Sequence, residues 1–314
     1  MKRVLYLSHA TPEVYAIIRK AVPAGFELVT LDSNDDDERR RKIAECEVVI
    51  VGATALRKSV IEAAGRLELV HHQGVGWQDT TDHEVLRERA IPLALTPEGT
   101  TIGVAEHTVL LILAALKLLP HADRELREGR FHVNALRPIS RELKGLTVGY
   151  VGMGRIAQAV VKRLAGFEVH GLFFDPNVES FQGLTRVSFE RLLSEADVLT
   201  LHVPLTPQTR HLIGAAELAR MKRLAYLVNT ARGGLVDESA LVRALRDGAL
   251  AGAALDVFET EPMPAGHPLS ALSNVVLTPH ISAGTRDALA TKMTALFANV
   301  ERFYRGEPLR NRVF

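Results

Sequence analysis

Gly149-Tyr150-Val151-Gly152-Met153-Gly154-Arg155-Ile156-Ala157 is the stretch on which the fold turns. It follows a strand-like run and opens a helical one. Gly152 permits a tight turn at that junction, and Gly154 lets the backbone approach a bound pyrophosphate. Ala157 takes the third position, where only a small residue for helix–strand packing is needed. A phosphate would rest on the helix N-terminus, whose unpaired N–H groups and dipole favour anions. A GxGxxA run alone is a weak signal, and its strand–turn–helix setting strengthens it. Asp175 ends the next strand about twenty residues on, the spacing of a ribose-binding carboxylate. Such a carboxylate accepts hydrogen bonds from both ribose hydroxyls and repels a 2′-phosphate, which favours NAD over NADP. The bland alternative is a turn aspartate before Pro176.

Working outward, strand-length apolar runs alternate with helical patterns, the signature of βαβ units and parallel sheets. Strands are expected at Val4–Leu7, Phe26–Leu31, Glu47–Val51 and Leu67–His71 in the first hundred residues. A second series is expected at Thr147–Val151, Val169–Phe174, Val198–Val203, Ala225–Asn229, Gly252–Asp256 and Val275–Thr278. That second count matches a doubly wound dinucleotide fold. In the helix expected over Glu238–Asp247, Asp237 is the N-cap, Leu241, Val242 and Leu245 form one stripe, and Gly248 is the C′ residue. The acidic run Asp32–Glu38, followed by Arg39–Arg41, is expected to be a solvated loop and helix start. No repeat or linker intervenes, so the domain breaks fall near residues 95–101 and 282–288. The expected class is α/β with two doubly wound parallel-sheet domains. A flavodoxin-like substrate-binding domain takes 1–98 and 286–314, the last helix (Asp287–Arg302) returning to it, and a Rossmann NAD-binding domain takes 99–285. Such a topology leaves a cleft between domains, where ligands usually sit.

Composition narrows the function classes. The 314 residues suffice for two domains with well-buried cores, and 47% hydrophobic and 24% charged residues are ordinary for a globular chain. A formal net charge of +1 invites neither nucleic acid nor an anionic membrane. The lone cysteine, Cys46, reads as a buried strand edge and fits a reducing compartment. Met1-Lys2-Arg3 leads at once into a strand, with no signal-peptide pattern. The longest apolar stretch, Ile102–Leu119, contains Glu106, His107 and Lys117, so it is expected to be a buried helix and not a membrane span. A cytoplasmic location and no metal site are the expectations.

Three short segments carry the chemistry: NTARGG (229–234), DVFETEP (256–262) and TPHI (278–281). Arg232 follows a strand at its carboxyl end, and its guanidinium can hold a carboxylate bidentately while polarising an adjacent carbonyl. Alone, it would read as a surface arginine before a glycine turn. His280 follows a strand in the same way, and a lone histidine there is usually structural; 12 occur in this chain. Glu261 gives it company, a carboxylate able to hold the ring and stabilise the imidazolium.

The ordered set of glycine loop, VPLTPQT (203–209), NTARGG, DVFETEP and TPHI resembles the D-isomer-specific 2-hydroxyacid dehydrogenase family over essentially the whole chain. The resemblance implies that Arg232 binds and polarises the substrate, Glu261 partners the histidine, and His280 is the acid/base. It implies that amides around Gly74, Val75 and Gly76 hold the substrate carboxylate, in agreement with the two glycines that follow a strand in HHQGVGW. Val203, Thr230 and Asp256 are placed near the nicotinamide ribose and carboxamide, and Arg155 over the pyrophosphate. Met153, Ile156, Pro204, Thr209, Ala231 and His280 complete the expected cofactor contacts. Trp77 either caps the substrate pocket or is an ordinary packing aromatic.

Departures within the family narrow the reading. Formate dehydrogenases of this fold carry glutamine where this chain has Glu261, and phosphite dehydrogenases place a lysine in the loop that here reads HHQGVGW. Phosphoglycerate dehydrogenases usually add a C-terminal regulatory domain, whereas this chain stops at Phe314. They also commonly hold the substrate phosphate with arginines, at positions that here are Val51 and His72, with Arg57 nearby. The expected activity is therefore NAD-dependent interconversion of a small 2-oxo acid, glyoxylate- or hydroxypyruvate-like, and its D-2-hydroxy acid. D-3-phosphoglycerate dehydrogenase is the alternative within the family. From another class, a non-enzymatic NAD(H)-sensing protein akin to the corepressors that keep the same trio stays open, although those usually carry extra terminal regions. The family suggests a homodimer built on the cofactor domain.

Overall fold

The computed structural model describes residues 1–131 and 134–314. Two compact units emerge, Met1–Thr101 with Ala283–Phe314, and Ile102–Ser282. In chain order the regular elements begin with β1 (Lys2–Tyr6), α1 (Pro12–Arg19), β2 (Phe26–Val29), α2 (Asp36–Ile43), β3 (Val48–Val51), α3 (Lys58–Ala63), β4 (Leu69–His72), α4 (His83–Glu88) and β5 (Leu93–Leu95). They continue with α5 (Thr100–Leu116), α6 (Leu119–Arg127), β6 (Thr147–Val151), α7 (Arg155–Leu164), β7 (His170–Phe174), β8 (Thr185–Arg186), α8 (Phe189–Glu195) and β9 (Val198–Leu201). The chain ends with α9 (Ala215–Arg220), β10 (Tyr226–Asn229), α10 (Glu238–Arg246), β11 (Gly252–Leu255), β12 (Val275–Leu277) and α11 (Arg286–Tyr304).

The first unit is a five-stranded parallel sheet in the order β2-β1-β3-β4-β5, the flavodoxin-like winding. Alternation along β1 feeds two cores. Leu5 and Leu7 pack with Val49, Val51 and Val70 on one face. Val4 and Tyr6 pack with Ile50, Leu69 and the Met293, Leu296, Phe297 and Val300 stripe of α11 on the other. Because both faces are covered, β3 and β4 are buried at every residue, which is why β3 reads as an unbroken apolar run, while β4 also buries His71 and His72.

The second unit is a seven-stranded parallel sheet, β12-β11-β10-β9-β6-β7-β8. Counted from β6, this is the 3-2-1-4-5-6 winding of a dinucleotide fold with a seventh strand added at one edge. The topological switch lies between β6 and β9, and the glycine loop leaves the end of β6 at that point.

Local expectations fare unevenly. α10 behaves as its sequence suggests: the Asp237 side chain accepts from Ala240 N at 2.9 Å, and Gly248 takes φ +66°. Two strands are additional to those expected: β5, only Leu-Ala-Leu after Pro92, and β8, two exposed residues. The acidic run is not simply a solvated surface. Glu38 is buried and accepts from Asp32 N and from the backbone and hydroxyl of Ser33, while Arg39 is buried with Nε donating to Leu7 O. The helix expected over Ile102–Leu119 ends at Leu116, and a new one starts at Leu119 with Pro120 in its first turn; between them Leu118 takes φ +54°. It is not wholly buried either, since Ile102 and Leu110 are each about half exposed (51% and 52%). Among the described residues no single helix is long and apolar enough to cross a membrane.

Candidate active site

The glycine loop is shaped by contacts on one side and openness on the other. Gly152 has φ +88°, and a Cβ there would sit 2.7 Å from His202 O and 2.8 Å from Val203 Cγ1. No larger residue fits. At Gly154, by contrast, a Cβ would meet nothing of the chain within 4 Å, so packing does not explain that glycine. Gly154 is the N-cap of α7 and supplies no side chain to bond the first amides of the helix. Behind the loop Met153 and Ala157 are fully buried, and Ile156 packs partly against the same core. Arg155, first residue of α7, is exposed. An open cradle before uncapped helical amides is a fitting receptor for a dinucleotide's phosphates.

Asp175 plays the turn role that one reading of its sequence offers, and it also reaches the glycine loop. Its Oδ1 accepts from Asn177 N (2.8 Å) and Val178 N (3.0 Å), the turn role. Its Oδ2 accepts from Met153 N at 2.8 Å, tying the carboxylate to the glycine loop. The loop after β9 is folded by Thr209, whose hydroxyl donates to Pro204 O (2.7 Å) and accepts from Thr206 N (2.8 Å).

Beyond β10 the backbone is steered by Asn229, a residue without a role in the sequence reading. Its Oδ1 accepts from Ala231 N (3.0 Å) and its Nδ2 donates to Arg232 O (2.8 Å), a side-chain turn that sets the direction of Arg232. Thr230 is buried and shares a hydroxyl contact of 2.9 Å with Thr108. The Arg232 guanidinium donates to Ala231 O at 2.8 Å. Gly233 is forced, because a Cβ would lie 1.9 Å from the carbonyl carbon of Phe258. Backbone contact thus joins NTARGG to DVFETEP directly. A second clamp reinforces it: Glu259 N donates to Glu238 Oε1 (2.7 Å) and Glu238 N to Glu259 Oε1 (3.2 Å). Twenty-one residues separate that pair, so no local pattern announces it.

Glu261 and His280 are brought together. Glu261 Oε2 lies 2.7 Å from His280 Nδ1, and Oε1 accepts from Phe258 N at 2.9 Å. Burial pushes the Glu261 carboxyl up, but its bond to His280, Phe258 N and the nearby Arg232 charge together hold it below the usual range. With Nδ1 engaged, His280 Nε2 is the ring nitrogen left for chemistry, and it has no bond among the described residues. His280 itself takes φ +52°, an uncommon conformation for a side-chain-bearing residue.

Asp256 holds that conformation in place. It is fully buried, its Oδ1 accepts from Thr278 Oγ1 (2.6 Å) and Ile281 N (2.9 Å), and its Oδ2 from Ser282 N (2.9 Å). His280 N donates to Asp256 O at 2.8 Å. His107 Nε2 stands 3.0 Å from Thr278 Oγ1 and 3.5 Å from Asp256 Oδ1. Burial raises the carboxyl, yet the bonds from His107, Thr278 and the two amides outweigh it and hold it down at about 2. The bonds of Asp256 to Thr278, Ile281 N and Ser282 N therefore serve the segment that carries His280, and His107 braces the same carboxylate from α5.

In the first unit, Gly74, Val75 and Gly76 follow β4, and Val75 is exposed. The amides there are not all bare: Gly74 N donates to His72 Nδ1 at 3.0 Å. Thr80 Oγ1 braces the loop, 3.0 Å from His72 Nε2 and donating to Gly76 O at 3.1 Å. Trp77 packs edge-on against His83 and Phe314, with centroids 4.9 and 6.4 Å away, as a packing aromatic does. Val51 and His72 are buried, and Arg57 pairs with Asp82 at 3.3 Å.

Sheet order and glycine loop define a two-unit α/β protein with a dinucleotide-type second unit. The model of the D-isomer specific 2-hydroxyacid dehydrogenase NAD binding domain matches residues 109–282, and the chain belongs to that family. It is 37% identical to a D-3-phosphoglycerate dehydrogenase of Archaeoglobus fulgidus over 99% of this chain, which spans 59% of that relative's length. A glyoxylate reductase of Korarchaeum cryptofilum is 39% identical over 85% of this chain and 82% of its own. Among solved structures, an NADPH-dependent glyoxylate/hydroxypyruvate reductase from Sinorhizobium meliloti superposes with a TM-score of 0.86 at 30% identity, covering 100% of this chain and 98% of that one.

Proposed function

We propose that this chain is a nicotinamide-dependent D-2-hydroxyacid dehydrogenase that interconverts a small unphosphorylated 2-oxo acid, such as glyoxylate or hydroxypyruvate, with its D-2-hydroxy acid. The observation that carries the proposal is the 2.7 Å pairing of His280 Nδ1 with Glu261 Oε2, which leaves Nε2 as the proton donor. The cofactor supplies and accepts the hydride when bound. Gly152, Gly154 and the first amides of α7 receive its phosphates, and Asp175 its ribose. His280 delivers a proton from Nε2 to the C2 oxygen in reduction and removes it in oxidation. Glu261 holds the ring and stabilises the imidazolium. Arg232 grips the substrate and offsets charge developing on the oxygen. Gly74, Val75 and Gly76 receive the carboxylate.

Carboxylate repulsion at Asp175 supports a preference for NADH, although the Sinorhizobium relative is named for NADPH. Phosphohydroxypyruvate is the second reading, favoured by the 37% identity to a phosphoglycerate dehydrogenase. Weighing against it, Val51 is apolar, the His72 ring nitrogens are engaged with Gly74 N and Thr80 Oγ1, and Arg57 is engaged with Asp82. A homodimer formed through the exposed apolar side of α5 and α6 is also proposed, in a reducing cytoplasm that suits the single buried thiol.

A panel of glyoxylate, hydroxypyruvate, phosphohydroxypyruvate and pyruvate with NADH and NADPH tests the reading. Turnover is expected with the small unphosphorylated acids, and His280→Ala should lower kcat by about 10² to 10⁴, the usual worth of a general acid. Arg232→Ala should lower both turnover and keto-acid affinity. NADH binding without turnover on any acid would sink the enzyme in favour of a sensor.

A further inference from the structure

The first unit contains a cavity of about 280 Å³ that none of the groups above uses. One wall is the end of β5 and the turn after it, including Thr96 and Glu98; another is α11 at Asn299, Arg302 and Arg305; the third is the C-terminal segment at Arg310. Three arginines and one carboxylate thus line one small space. The charges are arranged, not scattered. Glu307 bridges two of them, with Oε2 2.9 Å from Arg302 Nη1 and Oε1 2.7 Å from Arg305 Nε. Arg302 Nε is further committed to Pro308 O at 3.0 Å. These bonds hold both planes at the rim while leaving each with further N–H groups. The guanidinium of Arg310 has no hydrogen bond or ion pair among the described residues.

The walls behind the arginines are rigid. Asn299 is buried and grips the Arg310 backbone from both sides, accepting from its N–H and donating to its C=O, each at 2.9 Å. The same amide donates to His71 Nε2 at 2.9 Å, and Thr96 Oγ1 stands 3.3 Å from His71 Nδ1. Burial holds His71 down near 3, so the ring is a neutral strut at ordinary pH. Val313 N donates to Leu93 O, and Leu95 N to Asn311 O, which stitches the C-terminal segment along β5. A single helix end with basic residues would be explained by the helix dipole. Arg310 lies off the helix, on a segment fixed by its own bonds, and its charge, felt by Glu307 without a direct bond, is not explained that way.

We infer that this cavity is an anion-binding site for a small dianion, carboxylate or phosphate in chemistry, separate from the substrate site. Planar guanidiniums suit such groups, because two parallel N–H bonds can engage one carboxylate or phosphate face. The volume lies below the usual range for drug-sized ligands, which limits the occupant to a compact anion. Glu98, Glu307 and, beside Arg305, Glu301 oppose a highly charged one.

The test uses the full chain and two probes, inorganic phosphate and succinate, which separate the two chemistries. Binding is read by calorimetric titration at constant ionic strength set with sodium chloride, for wild type, Arg310→Glu, Arg310→Ala and Arg232→Ala. Saturable binding of at least one probe is expected in wild type and unchanged in Arg232→Ala. Arg310→Ala should weaken it about tenfold, the loss of one charge-assisted bond, and Arg310→Glu should abolish it. Arg310 is exposed and its only hydrogen bonds among the described residues are made by its backbone, so both variants should keep the wild-type Tm. No saturable binding of either probe, loss of binding in Arg232→Ala, or unchanged binding in Arg310→Glu would each overturn the site.

Discussion

Asp256 illustrates how one carboxylate can decide the behaviour of a histidine it does not touch through its own side chain. Its oxygens are bonded to Thr278, Ile281 N and Ser282 N, so the segment that holds His280 at φ +52° is tethered on both sides. Asp256→Asn keeps the shape but replaces one acceptor with a donor facing a backbone amide, at a cost of about 1–3 kcal/mol for the unmet bond. Expected with it is a fall in kcat larger than any change in KM, because the misplaced group is the proton donor. The pH dependence has a definite sign. The folded carboxyl sits at about 2, below the unfolded value of roughly 3.9. A depressed acid stabilises above its unfolded pKa and loses that contribution as pH falls toward the folded value. The stability gap between wild type and Asp256→Asn in urea should therefore narrow between about pH 4 and pH 2. A gap that stays constant over that window would show that the charge is not what the fold uses.

At the scale of elements, the site is a set of loops locked to each other by backbone, and glycine is where they meet. Gly233 brings the turn after β10 so close to Phe258 that a Cβ would fall 1.9 Å from a carbonyl carbon. Gly233→Ala must separate NTARGG from DVFETEP, and with them Arg232 from Glu261. The expected loss is about 2–4 kcal/mol of stability, as for overpacking against immovable backbone, together with most of kcat. Gly154→Ala provides the contrast. Its Cβ meets nothing in the chain, so Tm should hold while the KM for NADH rises. Equal loss of stability in both variants would show that Gly154 is needed for packing. The same elements show what the sequence could and could not tell. The glycine loop after its strand and the Asp237 cap were legible because each is a local pattern with a local cause. β5 and β8 were not, since two or three residues carry no periodicity; sheet neighbours, not propensity, make them strands. The break at Leu118 was signalled only by Pro120, inside an apolar run that otherwise reads as one helix. Asn229 and the Glu238–Glu259 clamp depend on chain reversals that no short window contains.

For the whole molecule, the question is what covers the apolar side of α5, α6 and the segment after them. Leu119 and Leu126 on α6 are exposed by 53% and 58%, Phe131 by 76%, and Ile139 by 56%, in addition to Ile102 and Leu110 on α5. Scattered exposed leucines need no explanation, but this series falls within one stretch of about forty residues, and large contiguous patches on single chains usually mark a binding face. Net charge near zero does little to keep copies apart. The proposed homodimer would put a second copy there, because a two-fold interface places the same patch on both partners. Covering such residues contributes roughly 25 cal/mol per Å² of apolar surface removed from water, so charge introduced at the centre of the patch should be costly. Leu126→Glu combined with Phe131→Glu should therefore convert a dimer into a monomer, read by sedimentation velocity, while far-ultraviolet circular dichroism stays as in wild type. The substitutions touch neither the glycine loop nor the Glu261–His280 pair, so any change in NADH affinity on dissociation would report coupling through the assembly. A wild-type chain that sediments as a monomer at micromolar concentration would remove the dimer, and a dimer that survives both charges would place the interface elsewhere.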